Sequence, residues 1–411
     1  MKRAIMFSVI WILLFISACS PVAPPAGTVQ ASDPPAAVSL PPPGPTSGPT
    51  EIIKELTVMS PNLIADLYTD KSRYAPGETP VLTIELNGGG APVLEVEIKV
   101  RHKLEVVFTT REMITVPAGG AVKDIVLHMP DNDFMGYCAE VYCSAGETLL
   151  DYGMTAVDVS SDWNVFPRYG YLTKMNGRAE DESRAVLDRL RRHHITGLFY
   201  YDVIDAHDRP LAGTADEPAP SWNTLNHSSA SMQTVEDMIR IGHEYNMYSF
   251  IYNLIFGAYD DYQRNGVSEE WGLFKDKAHQ KQDHHDLSSL RWESARLWLF
   301  DPGNPHWQEY YLKVHSDLLK VFDYDGIQVD SLGNRGGLYD YGGNPVALNE
   351  RYGSLLSRLK TELDTRVLFN AVSGYGLSEQ LSAGYSDIIY MEIWPGDGSS
   401  YTKLKTETDR I

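Results

Sequence analysis

The chain of 411 residues is 43% hydrophobic and 11% aromatic, a globular composition long enough for two domains. Its formal net charge of −20 excludes a nucleic-acid binder, because neutralising phosphates takes a basic surface and no run of this sequence is basic. A neutral or cationic ligand fits that balance.

The first stretch, "MKRAIMFSVIWILLFISACS", has a basic start (Lys2, Arg3), an apolar centre from Ala4 to Ile16 and small residues before a cysteine. That is the layout of a secretion signal over residues 1–18, and its centre is shorter than the about 20 apolar residues that span a bilayer. The closing "ISAC" resembles a bacterial lipoprotein signal, which implies a lipidated Cys19; the competing reading is an ordinary signal with a chance cysteine. The expected location is extracytoplasmic, anchored to a membrane through that lipid, or else secreted. Residues 19–55 are rich in proline ("PVAPPAG", "PPPGPTSGPT") and poor in large apolar side chains, so they read as an extended spacer.

From 56 to 160 short alternating runs are split by turn residues: "LIADLYTD", "PVLTIELNGGG", "LEVEIKVRHK", "LEVVFTTRE", "AVKDIVLHM", "YCAEVYC" and "TLLDYGMTAVDV". Strands at this spacing predict an Ig-like antiparallel β-sandwich. Cys138 and Cys143 lie five positions apart in one strand, about 16 Å, too far for a disulfide. "DNDFMG" opens like a calcium loop but has Met135 and Tyr142 where ligands belong, and it is discarded.

Over 161–411 the rhythm changes to strands alternating with amphipathic helices, the signature of a parallel α/β architecture. Strands are expected at 165–172, 195–202, 248–255, 326–330, 367–372 and 387–394, with helices near 180–193, 233–245, 305–321, 347–363 and 377–383. The natural host is a (β/α)8 TIM-type barrel of which these are the first six βα units. The alternative is an open doubly wound sheet, which would show a Gly-rich strand-to-helix turn absent from this sequence. The reading therefore takes the chain as an incomplete barrel.

Three of these strands end on acids: Asp202 after "LFYY", Asp330 after "GIQV" and Glu392 within "IIYMEIWP". On parallel barrel strands they converge at one mouth, with Tyr200, Tyr201, Tyr390 and Trp394 as aromatic neighbours. Carboxylates with stacking rings suit a sugar, and glycoside cleavage needs one carboxyl protonated and another ionised. The competing use of such acids is to cap helices, for which Glu is poorly suited.

Together "YDGIQVDSLG", "LFNAVSGYG", "DIIYMEIWP", "LFYYDVID" and "FDPGNPHWQEYY" resemble glycoside hydrolase family 66, the dextranases and cycloisomaltooligosaccharide glucanotransferases. The resemblance implies action on α-1,6-linked glucan with retention of configuration, with Asp330 as nucleophile and Glu392 as acid/base. It also implies that Asp202 holds the sugar and that Gln328 and Asn370 are polar lining positions, with Tyr201 and Trp394 completing the binding residues. The Asp330 and Glu392 carboxyls are expected near the about 5–5.5 Å of retaining pairs, with the protonated role falling to Glu392. No cofactor or metal is expected, and the protein is read as a monomer.

His193–His194 read as a solvated or capping pair, and His284–His285 as loop residues near substrate that lack a third metal ligand. Ser373 makes no nucleophile elbow, since Ala371 stands where a Gly is needed. Segment 256–303, with Trp271, Trp292 and Trp298, is a substrate-binding excursion or scaffold. The leading function is an endo-acting α-1,6-glucanase. The alternatives are the cyclising glucanotransferase and a non-catalytic glucan-binding lipoprotein.

Overall fold

A computed structural model describes residues 62–88, 93–290, 294–393 and 400–409. The signal, Cys19, the proline-rich spacer, Trp292 and Trp394 lie outside the described residues.

The first part holds seven strands: β1 (Ile64–Thr69), β2 (Val81–Leu86), β3 (Val93–His102), β4 (Glu105–Thr115), β5 (Ala121–Val126), β6 (Met135–Ala145) and β7 (Thr148–Val159). They form two antiparallel sheets, β1–β2–β5 and β4–β3–β6–β7, which share one hydrophobic core. The period of two explains that core: in β3 Leu94, Val96, Ile98 and Val100 are fully buried, while Glu95, Glu97 and Lys99 alternate with them. Burying each such aliphatic side chain contributes about 1.5–3 kcal/mol. Cys138 and Cys143 are free thiols of β6, and their odd spacing places them on opposite faces. Cys143 sits in the core, where burial pushes its thiol up to about 12.

The second part is built on a six-stranded parallel sheet. In chain order come β8 (Tyr169–Leu172), α1 (Glu180–Arg192), β9 (Gly197–Tyr200), the hairpin β10 (Ser221–Asn223) and β11 (Ser229–Ser231), α2 (Met232–Glu244) and β12 (Tyr248–Leu254). A small antiparallel sheet follows, from β13 (Gly257–Ala258), β14 (His284–Asp286) and β15 (Arg296–Leu299). Then come α3 (Pro305–Val321), β16 (Gly326–Asp330), the hairpin β17 (Leu338–Tyr339) and β18 (Pro345–Val346), α4 (Leu348–Glu362), β19 (Arg366–Asn370), α5 (Leu377–Ala383), β20 (Ile388–Tyr390) and α6 (Tyr401–Thr408). The large sheet runs β20–β19–β16–β12–β9–β8, all neighbours parallel.

Its strands are buried on both faces, which is why they read as near-continuous apolar runs. One face packs on the helices. There α3 starts at Asn304, whose side chain accepts from the N–H groups of His306 and Trp307, with Pro305 in the first turn; it buries Trp307, Tyr311, His315 and Leu318 along one stripe. The opposite face is layered with rings. Trp163 lies with Phe199, Phe250, Leu368 and Ile388, its ring 4.8 Å from that of Phe250. Gly197 and Gly326 make room for these rings: a Cβ on Gly326 would stand 2.6 Å from both the Phe250 ring and the Arg366 carbonyl. On the ring-layered side the two edge strands meet, with the hydroxyls of Tyr171 and Tyr390 3.0 Å apart, so the sheet is curled toward that face.

The two parts touch through the ends of α1 and α2. Arg191 donates to the carbonyl of Thr69, Arg192 pairs with Asp66 at 2.5 Å, and the Asn246 amide donates to the carbonyl of Arg73 at 2.8 Å. His194 is therefore no solvated residue: it takes a left-handed turn after α1 and meets the Thr155 hydroxyl at 3.2 Å, and burial pushes its pKa down to about 4. His193 does cap α1.

Gly326→Ala should lower stability by about 1–3 kcal/mol, the range for overpacking a filled core, because the Arg366 backbone cannot yield as a flexible side chain does. An unchanged melting temperature would show that the glycine is not needed for the curl.

Candidate active site

Strand alternation sends Tyr252, Gln328, Asp330, Asn370 and Tyr390 to the ring-layered face, all toward the C-terminal strand ends. There they line a cavity of about 720 Å³ with Tyr171, Tyr201, His285, Ser331, Leu332, Arg335, Val372 and Glu392.

Sheet order puts β19 between β16 and β20, and so puts Asn370 between the two acids. Its Nδ2 donates to Asp330 Oδ1 at 2.7 Å and to Glu392 Oε2 at 3.0 Å. Sharing one donor nitrogen brings an oxygen of Asp330 and an oxygen of Glu392 together at one point of the cavity. Asp330 also accepts from the Tyr252 hydroxyl at 2.9 Å and from the Ser331 N–H at 2.8 Å. The Ser331 hydroxyl in turn donates to the carbonyl of Asn370 at 3.0 Å. Gln328 Oε1 and Asn370 Oδ1 are buried without a partner among the described residues.

The elevated carboxyl is that of Asp330, pushed up to about 7 by burial first and by the neighbouring Glu392 charge second, against the pull of Tyr252, Ser331 and Asn370. This reverses the expectation that gave the protonated role to Glu392. Asp330 closes a strand whose preceding residues Gly326–Val329 are all buried, and that desolvation outweighs its three donors. Asp202 ends up 8% exposed in a left-handed backbone conformation, φ 55°, and lies outside the cavity lining. Burial alone pushes its carboxyl up to about 6.

Tyr201 lines the cavity as expected, whereas Tyr200 points to the opposite face of β9, fully buried beside Tyr324. Sequence reasoning missed Tyr171, Tyr252, Ser331 and Arg335. Tyr252 is singled out by the register that sets it beside Gln328 of β16, a property of the folded sheet that its own segment does not show. Arg335 had no local signal: it is placed by a bidentate pair with buried Asp283, at 2.9 and 3.0 Å, which Lys275 also approaches at 3.2 Å. That pair ties segment 256–303 to the loop after β16. The segment is mostly scaffold: Trp271 stacks on His306 and Trp298 bonds Asp260, and of its residues His285 lines the cavity. Among the described residues no group of three His, Cys, Asp or Glu side chains could hold a metal ion.

A curled parallel sheet flanked by helices, with two bridged carboxylates and tyrosine walls at its C-terminal mouth, defines an α/β protein of the glycoside-hydrolase class. The chain belongs to glycosyl hydrolase family 66, which it matches over residues 69–411. It is 29% identical over 368 residues to a cycloisomaltooligosaccharide glucanotransferase of Niallia circulans, covering 86% of this chain and 37% of that protein. It is 22% identical to a dextranase of Streptococcus salivarius, covering 77% of this chain and 42% of the relative. The chain thus spans about two-fifths of these relatives' length. The crystal structure of a Paenibacillus sp. cycloisomaltooligosaccharide glucanotransferase complexed with cycloisomaltoheptaose superposes with a TM-score of 0.78 at 29% identity, over 84% of this chain and 51% of that one.

Asp202 gives a pH signature. Its folded pKa is above the unfolded value, so its burial is harmless below about pH 4 and costs stability as pH rises through about 6. Asp202→Asn should raise the melting temperature at pH 8, by at most about 3 kcal/mol of stability, and the gain should vanish toward pH 4. A gain independent of pH would show that the carboxyl is not the cause.

Proposed function

We propose that this protein is a retaining glycoside hydrolase that cleaves internal α-1,6-glucosidic bonds of dextran-type glucans, with Asp330 as nucleophile and Glu392 as acid/base. In this reading the sheet is the first six units of a (β/α)8 barrel and the preceding strands form an Ig-like sandwich. The observation that carries the mechanism is the single Asn370 nitrogen bonded to both carboxylates, which brings one oxygen of each to the same point of the cavity, as two carboxyls acting on one bond require.

The two like charges oppose joint ionisation and favour one proton shared by the pair. The reaction requires that proton on Glu392, and the developing positive charge on the sugar favours this by drawing negative charge to Asp330. Asp330 then bonds the anomeric carbon as the glycosidic C–O bond breaks, and the Glu392 proton passes to the departing oxygen. In the second half Glu392 takes a proton from water, which displaces Asp330 from the anomeric carbon. Tyr171, Tyr201, Tyr252 and Tyr390 supply ring faces for the sugar, and Gln328 and Asn370 line the same cavity as polar groups.

A second reading is favoured by the comparisons: the likeness to glucanotransferases, at 29% identity, exceeds that to the dextranase, at 22%. There the glucan's own chain end, in place of water, intercepts the intermediate and closes a ring. The two differ in product, because cyclic isomaltooligosaccharides form from dextran in the transferase alone.

Asp330→Asn should abolish cleavage of α-1,6-glucan with folding intact, and Glu392→Gln should lower it about 10²–10⁴-fold. Near-normal turnover in Asp330→Asn removes the assignment, and an inverted anomer in the first-formed product removes the retaining mechanism. The location also belongs to this proposal: with Cys19 lipidated, the protein takes up labelled fatty acid and partitions with membranes, and Cys19→Ser does neither. A wild-type protein that stays unlabelled in a lipidating host ends that part.

A further inference from the structure

Behind the cavity wall, three buried polar side chains from three elements form one hydrogen-bonded chain. His207 comes from the loop after β9, Asn253 from β12 and His315 from α3, with exposures of 1%, 0% and 0%. His315 Nδ1 lies 2.8 Å from the carbonyl of Tyr311, so it carries the proton and leaves Nε2 to accept from Asn253 Nδ2 at 3.0 Å. The same amide nitrogen donates to the carbonyl of His207 at 2.9 Å. Asn253 Oδ1 accepts from the Leu254 N–H and from His207 Nδ1, each at 2.8 Å. Every donor and acceptor of the Asn253 amide is used, and both imidazoles are neutral, burial pushing each down to about 4.

Such a network is costly unless complete, and an apolar filling would do for packing alone. Its placement points to what it fixes. Next to Asn253 on β12 is Tyr252, whose hydroxyl donates to Asp330. The His207 ring stands edge-on to the Tyr252 ring, centroids 6.3 Å apart, and Tyr201 from the same loop packs on it at 4.2 Å. The loop that grips Tyr252 is thus fastened to β12 one residue further on.

We infer that His207 is a positioning residue for the carboxylate pair: bonded to Asn253, it locks the loop that holds the Tyr252 ring and so sets the hydroxyl that donates to Asp330. The nucleophilic role of Asp330 belongs to the proposed function. The positioning role concerns the hydrogen bond alone and is read without substrate.

The test compares melting temperatures of each protein with those of its Asp330→Asn partner between pH 5 and 9, where both imidazoles are neutral in the folded protein and their charging in the unfolded chain is common to the two members of a pair. Asp330 has a folded pKa above its unfolded one, so its ionisation lowers stability as pH rises toward about 7 and no further beyond. The difference between the pair therefore grows with pH and levels off, and the levelling point reports the Asp330 carboxyl. Glu392 is coupled to Asp330, so the levelling point belongs to the pair in every comparison alike. The other groups facing it (Tyr171, Tyr201, Tyr252, Tyr352, His285, Arg335) and those around His207 (Tyr259, Asp208, His315) are present in both members of a pair, so their contributions cancel to first order. Tyr252→Phe should move the levelling point up by about one pH unit, the size of one hydrogen bond to a charged group. His207→Ala should move it the same way, and the double variant no further than Tyr252→Phe alone. His207→Asn, whose amide nitrogen stands near Nδ1, should restore most of the effect, and His207→Gln should not; these two carry the test if His207→Ala fails to fold. A uniform loss of melting temperature with the levelling point unmoved, or a double variant that moves it further, overturns the positioning role. Wild-type protein inactive on dextran and isomaltooligosaccharides would instead remove the proposed function and leave this result standing.

Discussion

The Nδ2 of Asn370 stands between two carboxylates, and much of the fold can be understood as what keeps that nitrogen there. Asn370 ends the strand between those that carry Asp330 and lead to Glu392. Backbone bonds hold its end level with the strand that leads to Glu392: Ala371 donates to the carbonyl of Tyr390 at 2.9 Å, and Ser373 to that of Glu392 at 2.9 Å. An uncompensated pair of like charges in a walled cavity would be costly. One amide, one phenol and one backbone N–H reduce that cost without cancelling it, and the remainder appears as the elevated Asp330 carboxyl. In the reaction proposed above, a sugar acquiring positive charge would relieve the same tension.

The curl of the sheet depends on a different constraint, the fit of rings into glycine-made hollows. Trp163 and Phe250 occupy space that a Cβ at Gly197 or Gly326 would take, and the cluster they form lies beneath the tyrosine layer of the cavity. By comparison, exposed ion pairs such as Arg184 with Glu244 contribute little, of order 0–1 kcal/mol each.

How much of this was legible in the sequence varies with the physical signal. Helices 305–321 and 377–383 and strands 148–159 and 326–330 stand where the sequence puts them, because caps, turn residues and the apolar period agree there. Gln328 and Asn370 were reached through the family resemblance, whereas Asp330 and Glu392 could be read because each interrupts an apolar run. Tyr252 could not, since "YSFIYNL" is buried on both faces and offers no alternation to single out one side. The sheet β13–β15–β14 is made of strands too short for any period to show, and the depth at which Asp330 is buried is a tertiary property that no local pattern encodes.

The two thiols of β6 give the first part of the molecule an internal clock. Cys138 is partly buried, with its thiol raised by burial and by the Glu140 charge, and reacts slowly but from the folded state, while Cys143, facing the core with its proton more tightly held, stays silent until the sheets separate. Alkylation kinetics of the Cys143 thiol would then time the opening of that unit alone, and whether the clock runs faster once the Arg191 contact to Thr69 is cut would measure how far the parallel sheet steadies its neighbour.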